Sequence, residues 1–397
     1  MSRSTLVLVC GSLALFLTMG IRQDFGLLLA PITRDTGWAV GGLALGFALQ
    51  QIVWGLVQPV AGAIADTKGP RLVVAGGGLL YAAGLVTMAA GGSVPAFQVG
   101  AGLLVGAALA SVSFSVVLGA ITRAAPPEKR ISYAGMATAG ASFGMFAFVP
   151  VGRELIGSFG WQGALFGLAS ISLLILPLSL ALGGRPAAPA TSAVPGPSLR
   201  EALGMAMGHP GFRLLTLGFF VCGFHLAFVS VHLPAYVASC GLPDSVGAYG
   251  LALIGLGNVV GSLAAGKLGS RHRPKYLLAG IYAARGIAIA ALLLAPKTAP
   301  VVLTFTAVMG LLWLSTVPLT SGIVTGIFGP RYASTLFGIV FLSHQVGGFL
   351  GAWLGGVSYD LSGSYDAIWY ASLALAAFAT IVHLPIRDRR LEAFAAA

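Results

Sequence analysis

Ionisable side chains inside long apolar runs are the residues of this chain best placed to do chemistry. A charge in hydrocarbon is costly and normally faces a protein interior, a partner or water. Arg22 and Asp24 lie together near the end of the first such run. Two residues apart on a helix, they point roughly 200° away from each other, so no single partner on one face serves both. The cation could hold an anionic solute, and the carboxylate could take up and release a proton. The structural alternative for both is an ion pair that packs one helix on another. His225 stands 203 residues after Arg22, and His344 with Gln345 opens a polar notch at Ser343-His344-Gln345-Val346-Gly347-Gly348. Gln51, beside Gln50 and ahead of Gln58, and Asn258 can hydrogen-bond across helices or face a solute. Arg22, Gln51, His225, Asn258 and Gln345 are therefore candidate solute ligands, and Asp24 and His344 candidate proton carriers. For the histidines the alternative is a simple bond to a neighbouring helix. Arg285 is expected to brace helices.

Other chemistries lack their residues. No His, Cys or carboxylate cluster has metal-ligand spacing, and no Gly-x-Ser-x-Gly elbow, zinc motif or phosphate-cradling glycine loop occurs in a suitable context. The chain is expected to be no enzyme and to need no cofactor or metal. Cys10, Cys222 and Cys240 form no spacing motif and are read as small buried hydrophobes.

The elements that must position these groups are membrane helices. Charged residues make up 8% of the chain, against about 25% in soluble domains, and mean hydropathy is +0.92. Fifty-seven glycines suit helices whose backbones approach closely in lipid. Twelve apolar segments, each near the ~20 residues that cross the hydrocarbon, are expected at 6–32, 40–64, 71–90, 95–122, 131–152, 161–183, 211–237, 246–266, 275–295, 300–325, 333–357 and 366–386; they are numbered spans 1 to 12 below. The first continues without an Ala-x-Ala-like cleavage site and is expected to remain as a span. Pro150, Pro177, Pro234 and Pro318 are expected to kink their helices. Five prolines from Pro186 to Pro210 mark a spacer. Within it, Ser198-Leu199-Arg200-Glu201 is a capping box ahead of a short helix. The expected organisation is a six-helix bundle over 1–183, a linker over 184–210 and a second six-helix bundle over 211–397.

The net charge of +11 does not point to nucleic acid, because 17 of the 22 basic residues fall in loops on one side. The positive-inside rule makes that side cytoplasmic, with both termini there. Only Arg34, Arg153 and Lys297 fall in the opposite loops.

The two halves are related. Besides Arg22 and His225, the pairs Phe25 and Phe228, Pro31 and Pro234, Gly144 and Gly347, and Phe146 and Phe349 all share the offset of 203. After span 2 comes the charged turn Gly62-Ala63-Ile64-Ala65-Asp66-Thr67-Lys68-Gly69-Pro70-Arg71. A weaker copy, Gly266 to Lys275, follows span 8, with Ser270 in the place of Asp66. The first turn fits G-x-x-x-D-x-x-G-x-R and resembles the signature loop of the major facilitator superfamily. That resemblance implies an all-α membrane protein of twelve transmembrane helices in two pseudo-symmetric six-helix bundles, with spans 1, 4, 7 and 10 lining a central cavity. It makes Gly62, Asp66, Gly69 and Arg71 candidates for a conformational latch, in which the carboxylate holds a helix N-terminus or a basic side chain.

The end of span 1 with Asp35-Thr36-Gly37-Trp38, and the run Gly255-Leu256-Gly257-Asn258-Val259-Val260-Gly261-Ser262, resemble the monocarboxylate-transporter-like branch and its bacterial relatives. Two departures are visible. Ser262 stands where that branch has a carboxylate-holding arginine, and Arg22-Gln23 stands near its expected span 1 lysine. The resemblance implies a secondary transporter of a small organic anion, coupled to protons, working as a monomer in the bacterial inner membrane. An exporter of amphipathic compounds and a non-transporting membrane sensor are the other readings.

Overall fold

The computed structural model describes residues 2–38, 40–183 and 197–394; the first part of the expected linker, residues 184–196, lies outside them. The described residues form helices and turns only. Lipid enforces this, because every backbone N–H and C=O must find a partner within its own segment. Among the described residues, eleven stretches are long and apolar enough to cross a membrane. One of them, Pro127–Ala181, has 55 residues and turns at Gly160 (φ 67, ψ 178), so it accommodates both span 5 and span 6. Only glycine adopts that backbone without strain.

These helices group into two compact units. Unit 1 holds residues 1–126, 140–193 and 330–338, and unit 2 holds 127–139, 194–329 and 339–397. The beginnings of spans 5 and 11 thus belong to a different unit from the rest of those helices. In unit 2 the start of span 5 is admitted by small residues. A Cβ on Gly135 would lie 2.6 Å from the Cα of Gly266, so only two glycines allow this backbone crossing.

The repeat of 203 residues is realised as the same helix pairing in each unit. A Cβ on Gly144 would overlap the carbonyl of Phe16 in unit 1, and one on Gly347 would overlap that of Phe220 in unit 2. Spans 1 and 5, and spans 7 and 11, therefore touch backbone to backbone through equivalent glycines.

Several expected spans are interrupted. Span 1 is the helix Arg3–Gln23, a turn at Asp24, and a second helix Phe25–Thr36. Span 4 breaks at Val112 and Ser113, and span 10 between Leu312 and Thr316. Pro318 falls in the first turn after that break, where its missing N–H costs least. Leu173 and Leu174 form a turn just ahead of Pro177, whereas Pro150 sits inside a helix that is not broken there. The capping box at Ser198 forms ahead of Leu199–Gly208. The backbone N–H and then the hydroxyl of Ser198 hold the Glu201 carboxyl below the usual carboxylate range.

Candidate functional site

The polar groups buried in unit 1 separate around the turn in span 1. Arg22, on the last turn of Arg3–Gln23, faces span 2. Its Nε donates to Gln50 Oε1 at 3.4 Å and its Nη2 to Gln51 Oε1 at 3.1 Å, with the guanidinium 5.4 Å from the Trp54 ring centroid. Gln50 is itself anchored by an Nε2 bond to the Ala101 carbonyl at 3.1 Å. Arg22 is thus held by neutral amides and an aromatic face, which fix its direction and leave its charge uncancelled. The ion pairs among the described residues, Arg123 with Asp66 and Arg273 with Asp388, do not include it.

Asp24 faces the other way, as the spacing implies. It is 0% exposed, and neither carboxyl oxygen has a hydrogen-bond partner. The carboxyl rests on span 5, where a Cβ on Gly152 would come within 2.5 Å of its Cγ. An ionised carboxylate with nothing to offset it is expensive at such a place, and a proton is the simplest partner that neutralises it.

The charged turn after span 2 is assembled in unit 1 from residues far apart in sequence. Asp66 pairs with Arg123 at the end of span 4. Its carboxylate also accepts the N–H of Ser334 at 3.3 Å, and the N–H and hydroxyl of Thr335 at 2.7 Å each. Ser334 and Thr335 lie in the first turn of Ala333–Ser362, whose N–H groups have no partner within the helix. Gly62 gives span 2 the clearance for this approach, since a Cβ there would lie 2.6 Å from the Ser334 carbonyl oxygen. Gly69 has φ 99, a left-handed backbone that turns the chain into Pro70–Ala90. Arg71 is exposed, and the basic partner of Asp66 is Arg123. The sequence pattern contains no signal for Arg123, Ser334 or Thr335 as partners.

Unit 2 holds the other candidates. His225 is buried in span 7, its Nε2 2.8 Å from the Ser372 carbonyl of span 12. His344 is half-buried, stacked on Phe341 at 4.9 Å, with Nδ1 3.1 Å from Gln345 Oε1. Arg22 and His225, paired by the repeat, belong to different units, and each has hydrogen bonds inside its own.

Asn258 serves the break in span 10. Its Oδ1 accepts the N–H of Leu314 at 2.9 Å, and Arg285 Nη2 donates to the carbonyls of Leu312 and Trp313 at 2.5 Å each. Side chains from spans 8 and 9 thereby satisfy three backbone groups that the interrupted helix leaves open. Gly257 allows the close approach, as a Cβ there would lie 3.0 Å from Leu311 N. Span 4 caps its own break with the Ser113 hydroxyl, which accepts from Val116 N at 3.4 Å. Replacing Asn258 by Ala should strand the half-buried Leu314 N–H and lower stability by about 1–3 kcal/mol. Asn258→Asp, which keeps an acceptor, should lose less, and the apparent melting temperatures of the purified variants test both. Equal melting of Asn258→Ala and the unaltered protein would remove Asn258 from this role.

A cleft of about 440 Å³ lies at the end of span 1 in unit 1, lined by residues including Arg34, Asp35, Phe159 and Trp161. Asp35 of the Asp-Thr-Gly-Trp turn accepts Trp161 Nε1 there at 2.8 Å. Among the described residues no His, Cys, Asp or Glu group is arranged to hold a metal.

Interrupted membrane helices, the acid-bearing turn after span 2 and paired helix contacts in both units define a secondary transporter. The chain belongs to the Major Facilitator Superfamily, whose family model matches residues 8–352. It is 30% identical over 378 residues to monocarboxylate transporter 11 of Mus musculus, covering 88% of this chain and 80% of that one. With monocarboxylate transporter 13 of Rattus norvegicus it shares 27% identity over 389 residues, covering 93% and 86%. The oxalate:formate antiporter of Oxalobacter formigenes is 24% identical over 260 residues, 63% of this chain and 60% of that protein. Among solved structures, a human organic anion transporter superposes with TM-score 0.75 at 18% identity, covering 96% of this chain and 100% of that chain. The E. coli fucose:proton symporter superposes with TM-score 0.72 at 17% identity, covering 96% and 97%. At these identities the structural likeness bears on the fold alone.

Proposed function

We propose that this transporter carries a small organic anion of the monocarboxylate type, coupled to protons. The observation that carries the reading is Arg22, a cation oriented by Gln50, Gln51 and Trp54 with no carboxylate among the described residues paired to it. An incoming carboxylate supplies the missing charge, and a guanidinium binds it through charge-assisted, directional hydrogen bonds. Asp24, buried without a partner, is the proton carrier, with His344 second. His225, Gln345 and Asn258 are weaker candidates for contact with the anion, since each already bonds within unit 2. The relatedness to monocarboxylate transporters supports the anion class. The positive-inside rule, applied to the basic loops, supports a reading with both termini in the cytoplasm, and the proposed setting is a bacterial inner membrane with the protein acting as a monomer.

A melting-temperature screen of the purified protein against organic acids and amphipathic drugs identifies the best ligand, and calorimetry then measures its affinity. Arg22→Ala is expected to weaken anion binding by about 1.5–3 kcal/mol. Arg22→Lys should restore part of the loss, because it returns the charge without the planar fork. Unchanged affinity in Arg22→Ala sinks the assignment and moves the amphipathic-exporter reading to first place.

A further inference from the structure

Arg285, buried in unit 2, has no carboxylate among the described residues paired to it. It is 0% exposed, and neither ion pair among those residues includes it. Nη2 donates to the carbonyls of Leu312 and Trp313, while Nε and Nη1 have no hydrogen-bond partner. Two carbonyl dipoles orient a guanidinium without cancelling its charge, and an uncompensated buried cation is costly. The counter-charge then has to come from another kind of side chain.

Cys222, on span 7, touches the cation. By its sequence setting it is a small buried hydrophobe, and it is indeed 0% exposed, but its neighbours are polar. Sγ lies 3.8 Å from Arg285 Nη2 and 3.2 Å from Thr316 Oγ1, where the second half of span 10 begins. The Tyr282 hydroxyl of span 9 and the imidazole of His344 in span 11 hydrogen-bond to the same sulfur. Gly223 admits span 11 to this place, since a Cβ there would lie 1.8 Å from the His344 carbonyl oxygen. A thiol accepts only weakly, so it serves such a set of donors poorly, whereas a thiolate serves them well.

The other titratable groups around the sulfur bring no negative charge. His225, one turn along span 7, has Nε2 on the Ser372 carbonyl. His383 of span 12 stacks on Tyr282 at 4.9 Å and bonds its own helix through Nδ1. His344 is the group able to take the thiol proton. Its Nδ1 faces an acceptor, Gln345 Oε1, at 3.1 Å, so Nδ1 carries hydrogen and Nε2 is the nitrogen left for the sulfur. His344 is half-buried, whereas Cys222 is enclosed.

We propose that Cys222 is a thiolate at neutral pH and the counter-ion of Arg285, with His344 as the group through which its proton comes and goes. The S–H bond breaks as an N–H bond forms on His344 Nε2, and the imidazolium gives a proton up to water. Cys222 is then a positioning residue, holding the guanidinium that caps the break in span 10. The ion pair and its proton path hold whatever cargo is carried, and both are read without measuring transport.

The test is ultraviolet spectroscopy of the full-length purified protein, read as the difference between the unaltered chain and Cys222→Ser. That difference removes the aromatic background and the other two cysteines, Cys10 and Cys240. At neutral pH it should show the absorbance of a single thiolate per chain. Unfolding at the same pH should abolish the band, because a free thiol ionises at about pH 8.5. Arg285→Gln should lose the band, and Arg285→Lys, which keeps the charge, should keep part of it. After a jump to acid pH, His344→Gln should slow the loss of the band by about tenfold or more, the scale of a positioned proton acceptor. A difference spectrum without a thiolate band overturns the proposal, and that reading needs no Arg285 variant to fold. The proposal is also overturned if the band is undiminished in Arg285→Gln, or if His344→Gln loses it at the unaltered rate.

Discussion

Asp24→Asn is expected to abolish uphill accumulation while leaving exchange of substrate down its own gradient. Asp24 sits at the one turn that interrupts span 1, fully buried, with both oxygens unpartnered against Gly152. In that setting a proton is the change that switches the group between a tolerable and a costly state. The amide keeps the shape and remains neutral at every pH, so the cycle loses its coupling step without losing its path. Proteoliposomes with an imposed pH gradient read the coupled mode, and counterflow of labelled substrate reads exchange. Accumulation that persists in Asp24→Asn excludes Asp24 and makes His344→Gln the next test. Gly152→Ala is an independent probe, because its methyl group would occupy the space of the carboxyl and should impair the same step with the acid still present.

Asp66→Asn should slow transport by about 10- to 100-fold with ligand affinity nearly unchanged. The carboxylate joins Arg123 to the N–H groups of Ser334 and Thr335 and to the Thr335 hydroxyl. Each such charge-assisted bond contributes about 1.5–3 kcal/mol. An asparagine has one acceptor oxygen and turns an NH2 donor toward groups that themselves donate. The arrangement holding the first turn of span 11 against span 2 is therefore weakened even though the volume is conserved. Uptake rates in proteoliposomes, set beside calorimetric affinity, separate the outcomes. A loss of affinity as large as the loss of rate would place Asp66 in the binding site and end its reading as a latch. Arg123→Gln should reproduce the slow phenotype, whereas Arg71→Gln, at an exposed position, should not.

Much of this architecture is determined by local chemistry and is legible in the chain alone. Runs of about 20 apolar residues must be helical in lipid, because only a helix satisfies its own backbone there. Gly144 and Gly347 announce the same packing event twice, since a small residue at a helix contact is required by the backbone beside it. The opposed directions of Arg22 and Asp24 follow from helix geometry, and the turn at Asp24 keeps that opposition. Partners are another matter. Arg123 lies 57 residues from Asp66, and Thr335 lies 269 residues away, so no period or motif connects them. The break in span 10 is equally a tertiary decision. A continuous helix would satisfy its own groups, and the interruption persists because Asn258 and Arg285, brought from spans 8 and 9, take over the bonds it gives up. An isolated side chain carries its charge and its reach in the sequence, whereas the atom it finally bonds is chosen by whatever backbone the packing leaves unsatisfied beside it.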